Sequence, residues 1–280
     1  MIPAPFEYAV AESPEHAIEL LGAGEDAKAL AGGHSLIPAL KLRIARPTTV
    51  VDIGRLSELA YVRDAGTQIA VGALTRHKDV RDAPLLQEHC AILATTAGQV
   101  GDPQVRHRGT IGGSLAHADP ASDLPAVILA LGGELVVRGS GGERVVPAGE
   151  FFRGVWETAI GHGELLTEIR VPKLAASTGW SFVKLNRRAQ DWATVAVAAL
   201  VHRDDGSVAG ASIGLVNMGA TPLRARATED AVAGGASAAD AAAHAAEGTE
   251  PPSEHAVSSE FRAHLARVAT RRAIEEALSR

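Results

Sequence analysis

The spacing of apolar positions divides the chain into stretches of different character. In the first, short extended runs alternate with helical ones. Ser13, Pro14 and Glu15 open a helix. The serine hydroxyl caps it, proline is tolerated at the first helical position, and the glutamate faces the positive end of the helix dipole. Ala17, Ile18, Leu20 and Leu21 supply its apolar side, and Gly22 is expected to stop it. Residues 27–31, 49–53, 68–71, 134–137 and 165–171 read as strands, whereas 84–96 and 121–131 read as helices. Residues 172–179 (PKLAASTG) have the composition of a linker, so one domain is expected over residues 1–175 and a second over 176–280. Beyond the linker, residues 194–201 and 207–216 flank the turn Asp204-Asp205-Gly206 and form an expected hairpin. The alanine-rich stretch 225–247 should be helical with a break at Gly234-Gly235, and Pro251-Pro252 ends it. Residues 258–279 form a long amphipathic helix with Phe261, Leu265, Val268, Ala269 and Ile274 on its apolar side. The class is α+β in two domains.

Composition narrows what such a chain can do. Its 280 residues, 46% hydrophobic and 21% charged, can bury a substantial core. The net charge of −6 argues against a nucleic-acid binder, which usually shows a basic balance. No run of about eighteen apolar residues occurs, and residues 1–12 lack the basic-then-apolar order of a signal peptide. A cytoplasmic protein without a transmembrane segment is the expectation. Cys90 is the one cysteine, so an internal disulfide is impossible and an iron–sulfur cluster, which wants four thiolates, has no ligands. His34, His107 and His117 fall in no metal-binding spacing, and no metal site is expected.

Two glycine clusters carry the candidate chemistry. The first is Ala31-Gly32-Gly33-His34-Ser35-Leu36, directly after an expected strand; the second is Gly109-Thr110-Ile111-Gly112-Gly113-Ser114. Paired glycines let the backbone approach an anion and aim successive N–H groups at it, and Ser35, Thr110 and Ser114 add hydroxyls. Two such loops meeting in space could enclose a pyrophosphate. Neither matches the dinucleotide or P-loop fingerprint, and either alone could be a plain tight turn.

The longer strings are more specific. Residues 110–125 (TIGGSLAHADPASDLP) and the upstream AGGHSLIP resemble the two signature loops of the FAD-binding medium subunit of molybdenum hydroxylases, the family of xanthine dehydrogenase and aerobic carbon monoxide dehydrogenase. The resemblance continues through residues 182–193 (FVKLNRRAQDWA), 258–262 (SSEFR) and 271–273 (RRA), and so spans the chain. It implies an FAD-binding domain of the PCMH (vanillyl-alcohol-oxidase-like) type, made of two α+β subdomains. A C-terminal α+β domain with a small antiparallel sheet and helices would follow. Residues 31–36 and 110–114 would enclose the FAD pyrophosphate through backbone N–H groups, without a covalent bond. Asp123 would accept hydrogen bonds from a polar part of the cofactor, and Leu165 or Leu166 would contact the isoalloxazine. Lys184 would approach the ring near N1–C2=O, where a cation favours the reduced form. Trp192 stands where carbon monoxide dehydrogenase members carry a tyrosine over the ring; stacking survives the exchange, the phenol does not.

The resemblance also implies partners: a large molybdenum-cofactor subunit and a small [2Fe–2S] subunit, assembled as a dimer of heterotrimers. Electrons would pass from the clusters through FAD to an external acceptor (quinone, NAD or oxygen). The complex would be cytoplasmic, or peripheral at the inner face of the membrane. No catalytic nucleophile or acid–base set is required in this chain. The nearest variant is an aerobic carbon monoxide dehydrogenase medium subunit or a relative acting on N-heterocycles or aldehydes. Two other readings stand beside it. One is a single-chain oxidase with FAD attached covalently through His34, and the other is a flavin-binding scaffold without turnover.

Overall fold

The computed structural model describes residues 1–254 and 257–280. Its first subdomain holds β1 (Glu7–Val10), α1 (Pro14–Ala23), β2 (Ala27–Leu30), α2 (Leu36–Lys41) and β3 (Thr49–Asp52). The strands form a parallel sheet in the order β1-β3-β2. Ser13 caps α1 as expected, its Oγ accepting from the His16 amide at 3.1 Å. The helix runs past Gly22 and ends at Gly24, which is extended. β1 escapes the apolar pattern because none of its four residues is fully buried.

The second subdomain holds β4 (Val62–Ala65), β5 (Gln68–Gly72), α3 (His77–Asp82), α4 (Pro84–His89), α5 (Ala91–Gln99), α6 (Pro103–Arg108), α7 (Ile111–His117), α8 (Asp123–Ala130), β6 (Glu134–Gly139), β7 (Gly142–Pro147), α9 (Ala148–Phe151), β8 (Phe152–Gly154), β9 (Glu157–Thr158) and β10 (Leu165–Pro172). Its sheet runs β4-β5-β10-β6-β7, antiparallel throughout. The single helix expected over 84–96 is two helices, because Cys90 leaves helical geometry (φ −151°, ψ 52°) between them. Its side chain is wholly buried, and burial pushes the thiol up to about 12, so it is an inert apolar filler. Every residue of α8 is buried, which suits a helix enclosed on all sides.

The C-terminal part contains β11 (Thr178–Leu185), β12 (Val195–Asp204), β13 (Ser207–Val216), β14 (Leu223–Arg224), α10 (Arg226–Ala233), α11 (Ala238–Ala243) and α12 (Ser259–Ser279). The strands form one antiparallel sheet in sequence order, with the expected hairpin turning at Asp205 and Gly206, both at positive φ. Strand alternation splits its apolar residues between two cores. Ala196, Ala198 and Leu200 join the core of the second subdomain, and Val195, Val197 and Ala199 face α10 to α12. The stretch read as a linker is tied down at both ends: Thr178 and Gly179 already belong to β11, and the Leu174 amide donates to the His89 carbonyl at 2.8 Å.

On α12 the expected stripe is partly wrong. Phe261 is half exposed, while Arg262 beside it is only 1% exposed. The buried line runs through Arg262, Ala266, Ala269, Ala273 and Ala277. Small side chains on this line let α12 lie close on β11, where a Cβ on Gly179 would collide with the Ala277 carbonyl. The Arg262 charge is satisfied by the Pro252 and Thr194 carbonyls and by Glu254.

Candidate functional site

β2 delivers the chain to the first glycine cluster, and α2 leaves it. At the cluster Gly33 is left-handed (φ +81°), and the Ile37 amide closes the turn onto the Gly33 carbonyl at 3.0 Å. Among the described residues, the amides of Gly32, Gly33, His34, Ser35 and Leu36 have no acceptor. A left-handed residue within a run of unspent N–H groups is the geometry of a backbone anion nest.

The second cluster is not a free loop. Thr110 caps α7, its Oγ1 accepting from the Gly113 amide at 3.1 Å, so Ile111, Gly112 and Gly113 form the first helical turn. The Ile111 amide donates to the Thr75 carbonyl at 3.0 Å and the Gly112 amide to the Ala73 carbonyl at 2.8 Å. The Ser114 amide donates to the Thr110 carbonyl. The expectation that residues 110–114 present their amides to an anion therefore needs correcting for residues 111–114, whose amides go to helix capping, the first turn of α7 and the 73–75 backbone; the Thr110 amide alone has no acceptor among the described residues. Among the described residues the Ser114 hydroxyl has no partner.

The clusters meet, as two halves of one cradle must. A Cβ on Gly32 would collide with the Arg108 carbonyl and lie 2.8 Å from the Gly109 Cα, and one on Gly113 would touch the Ala31 Cβ at 3.9 Å. Glycine at position 32 is required by this contact. Three guanidinium groups, those of Arg76, Arg106 and Arg108, gather here beside the His34 and His77 rings, with Asp52 and Asp79 close to Arg76.

Asp123 and Lys184 come together across the chain. Asp123 opens α8, Lys184 sits on β11, and Nζ lies 2.6 Å from Oδ2. Their side chains are 5% and 4% exposed, so the pair is desolvated. Nζ also donates to the Gln99 carbonyl at the C-terminus of α5, a favourable place for a cation. Burial pushes the Asp123 carboxyl up to about 6, against the pull of Lys184. Oδ1 of Asp123 is buried and has no partner among the described residues. An acceptor left open in this way suits a ligand that brings a donor.

Leu165 and Leu166 lie on β10 with side chains on opposite faces: Leu165 completes the core of the first subdomain and Leu166 that of the second. Both mark the seam between the subdomains. Trp192 is 57% exposed on the loop joining β11 to β12 and stacks on no other ring among the described residues. Its loop is held by the Asn217 side chain, which donates to the Ala193 carbonyl at 2.9 Å. The Trp192 face thus stays open to an external ring.

Arg76 and His77 belong to the site and were not read from the sequence. The His77 amide donates to the Gly109 carbonyl at 3.0 Å, and Arg76 pairs with Thr110 across a β-bridge. The His77 ring is buried with Nδ1 unpartnered. Burial first, then the charges of Arg106, His34 and Arg76, lower it to about 4, so it is neutral at pH 7. Nothing local in Thr75-Arg76-His77 marks it; its role comes from pairing with a segment more than thirty residues away.

Comparison with known proteins agrees with this geometry. Residues 4–174 match the family described as the FAD binding domain in molybdopterin dehydrogenase, and residues 180–277 match the CO dehydrogenase flavoprotein C-terminal domain. The chain is 39% identical over 285 aligned positions to the carbon monoxide dehydrogenase medium chain of Hydrogenophaga pseudoflava, covering 100% of this chain and 99% of that one. It is 39% identical over 287 positions to the 6-hydroxypseudooxynicotine dehydrogenase complex subunit alpha of Paenarthrobacter nicotinovorans, covering 100% and 97%. Among solved structures, carbon monoxide dehydrogenase from Hydrogenophaga pseudoflava, in a form lacking the Mo-pyranopterin moiety of the molybdenum cofactor, superposes with TM-score 0.96 at 41% identity, covering 100% of this chain and 99% of that chain. Quinoline 2-oxidoreductase from Pseudomonas putida 86 gives 0.93 at 32%, again covering 100% and 99%. On these matches the chain belongs to the FAD-binding medium-subunit family of the molybdenum hydroxylases.

Proposed function

We propose that this chain is the electron-relay subunit of a complex with a large molybdenum-cofactor subunit and a small [2Fe–2S] subunit, arranged as a dimer of heterotrimers. Bound FAD supplies the conversion of one-electron deliveries into a two-electron delivery to an external acceptor, a quinone, NAD or oxygen. The observation that carries the reading is the row of open amides at residues 32–36, packed through Gly32 against the start of the second cluster.

The chain's own residues bind and orient. The first loop holds the diphosphate by main-chain N–H groups, with His34 and Ser35 contributing backbone. Ala31, Thr110, Ile111, Gly112 and Gly113 form its rigid backing, and Ser114 offers a hydroxyl. Asp123 Oδ1 would accept from a polar group of the cofactor, and its other oxygen holds the Lys184 side chain in place, where it would approach the ring. Leu165 or Leu166 would wall the ring at the subdomain seam, and Trp192 would offer a stacking face. Residues 1–175 and 176–280 then act as cofactor domain and closing domain.

The substrate is oxidised in the large subunit, and carbon monoxide, N-heterocycles and aldehydes are the candidate classes. Names of the similar proteins support that range: they include carbon monoxide, glyceraldehyde and caffeine dehydrogenases. No helix among the described residues is long and apolar enough to cross a membrane. The complex is placed in the cytoplasm, touching the inner face of the membrane only where it meets a quinone.

Purification of the native protein tests the assembly. A molybdenum-containing chain and a [2Fe–2S] chain should accompany it in equal amounts, with one FAD per copy. A flavinated chain that purifies alone at full yield overturns the relay and leaves the scaffold reading. Acid precipitation should release all the flavin into the supernatant; yellow peptide containing His34 would instead establish the covalent oxidase.

A further inference from the structure

The segment from Ala73 to His77 runs antiparallel to residues 109–112 and holds them by main-chain bonds at Ala73, Thr75 and His77. From this strut the Arg76 side chain crosses to the Arg108 carbonyl and donates to it. That carbonyl is the atom against which Gly32 packs. It also ends α6, where unspent carbonyls carry the negative end of the helix dipole. Left bare, it would present negative charge to any anion on the Gly32–Leu36 amides. Arg76 is half-buried, and burial together with Arg108 disfavours its charge; Asp79 and Asp52 favour it. The guanidinium therefore stands at the contact of the two clusters, where an added anion would join Asp79 and Asp52 in facing it.

We infer that Arg76 is a positioning residue for the cofactor diphosphate. It ties the Arg108 carbonyl at the contact of the two glycine clusters and sets a positive charge behind the open amides. The inference rests on residues 32–36 being the diphosphate site. Its two functions are separable. Pinning the carbonyl fixes the spacing of the clusters, and the charge attracts the ligand.

The test uses the full chain stripped of flavin and titrated with FAD, following the quenching of flavin fluorescence. Arg76→Gln should raise Kd for FAD about tenfold or more, the scale of one charge-assisted hydrogen bond. It should also flatten the salt dependence of Kd, because one cation–anion contact is gone. Arg76→Lys should recover most of the affinity and the salt slope. Apo-protein melting should stay within a degree or two in both variants, about the scale of a neutral surface change. Wild-type affinity in Arg76→Gln overturns the proposal. So does weakened binding with an unchanged salt slope, or with a lowered apo melting temperature that Arg76→Lys does not restore, since both describe a merely structural residue. Should Arg76→Gln fail to fold, Arg76→Lys with wild-type folding and Kd raised as much as tenfold also refutes it. Gly33→Val separates the two readings: a β-branched residue is strained at the positive φ of position 33 and would displace the turn, so it should lose FAD. If Gly33→Val keeps FAD, the loop assignment fails. If it loses FAD and Arg76→Gln does not, only the role of Arg76 fails.

Discussion

Two buried groups dominate at the scale of single residues. Lys184 and Asp123 form a desolvated pair, so removing one partner strands the other. Lys184→Met should lower the stability of the full chain by about 3 kcal/mol in urea melts. The double variant with Asp123→Asn should recover most of that, since it strands no charge. A single variant as stable as wild type would show that the pair is not desolvated. His77 gives a pH signature. Its folded value of about 4 lies below the 6.5 of an unfolded histidine, so the unfolded chain binds the extra proton between them. The stability it confers is complete above pH 6.5 and drains away as pH falls through 4, up to roughly 3 kcal/mol. In apo protein, the wild type should lose this margin relative to His77→Gln across that window; parallel pH–stability curves would contradict a buried neutral imidazole.

At the scale of elements, the close approach of α12 to β11 is a specific claim. Gly179→Ala places a methyl on the Ala277 carbonyl and should cost about 1–3 kcal/mol. Gly210→Ala, where a Cβ meets nothing within 4 Å, should stay within about 0.5 kcal/mol. Equal melting temperatures for the two would mean that α12 packs elsewhere. The same helix shows what the sequence made legible. Its start at Ser258, its length and its amphipathic character were readable, because capping and 3.6-residue periodicity are local. The burial of Arg262 in place of Phe261 was not, because carbonyls at Pro252 and Thr194 decide it. Likewise the break at Cys90 follows from packing, and β1 is held by pairing with β3 more than by its own residues. The first glycine cluster was legible since its open amides follow from residue type. The second was half legible: its glycines mark the close contact, while the carbonyls of Ala73 and Thr75 that take its amides are set by the fold.

At the scale of the whole molecule, two contacts join distant parts of the chain. The open amides of the first subdomain meet the strut carrying Arg76 through Gly32 and Arg108, and Asp123 of the second subdomain pairs with Lys184 of the C-terminal sheet. A chain built this way binds and tunes a flavin, and the lone buried Cys90 gives it no means to hold the clusters that reduce it. Among the described residues no group of three or more His, Cys, Asp or Glu could hold a metal ion either. On the proposed relay, electrons reach the flavin through a partner subunit. The most direct test follows flavin absorbance near 450 nm after rapid mixing with the substrate of the native complex, once with the assembled complex and once with the isolated flavinated chain. Bleaching in the complex and none in the isolated chain is the predicted result, and rapid bleaching of the isolated chain by that substrate would contradict the relay.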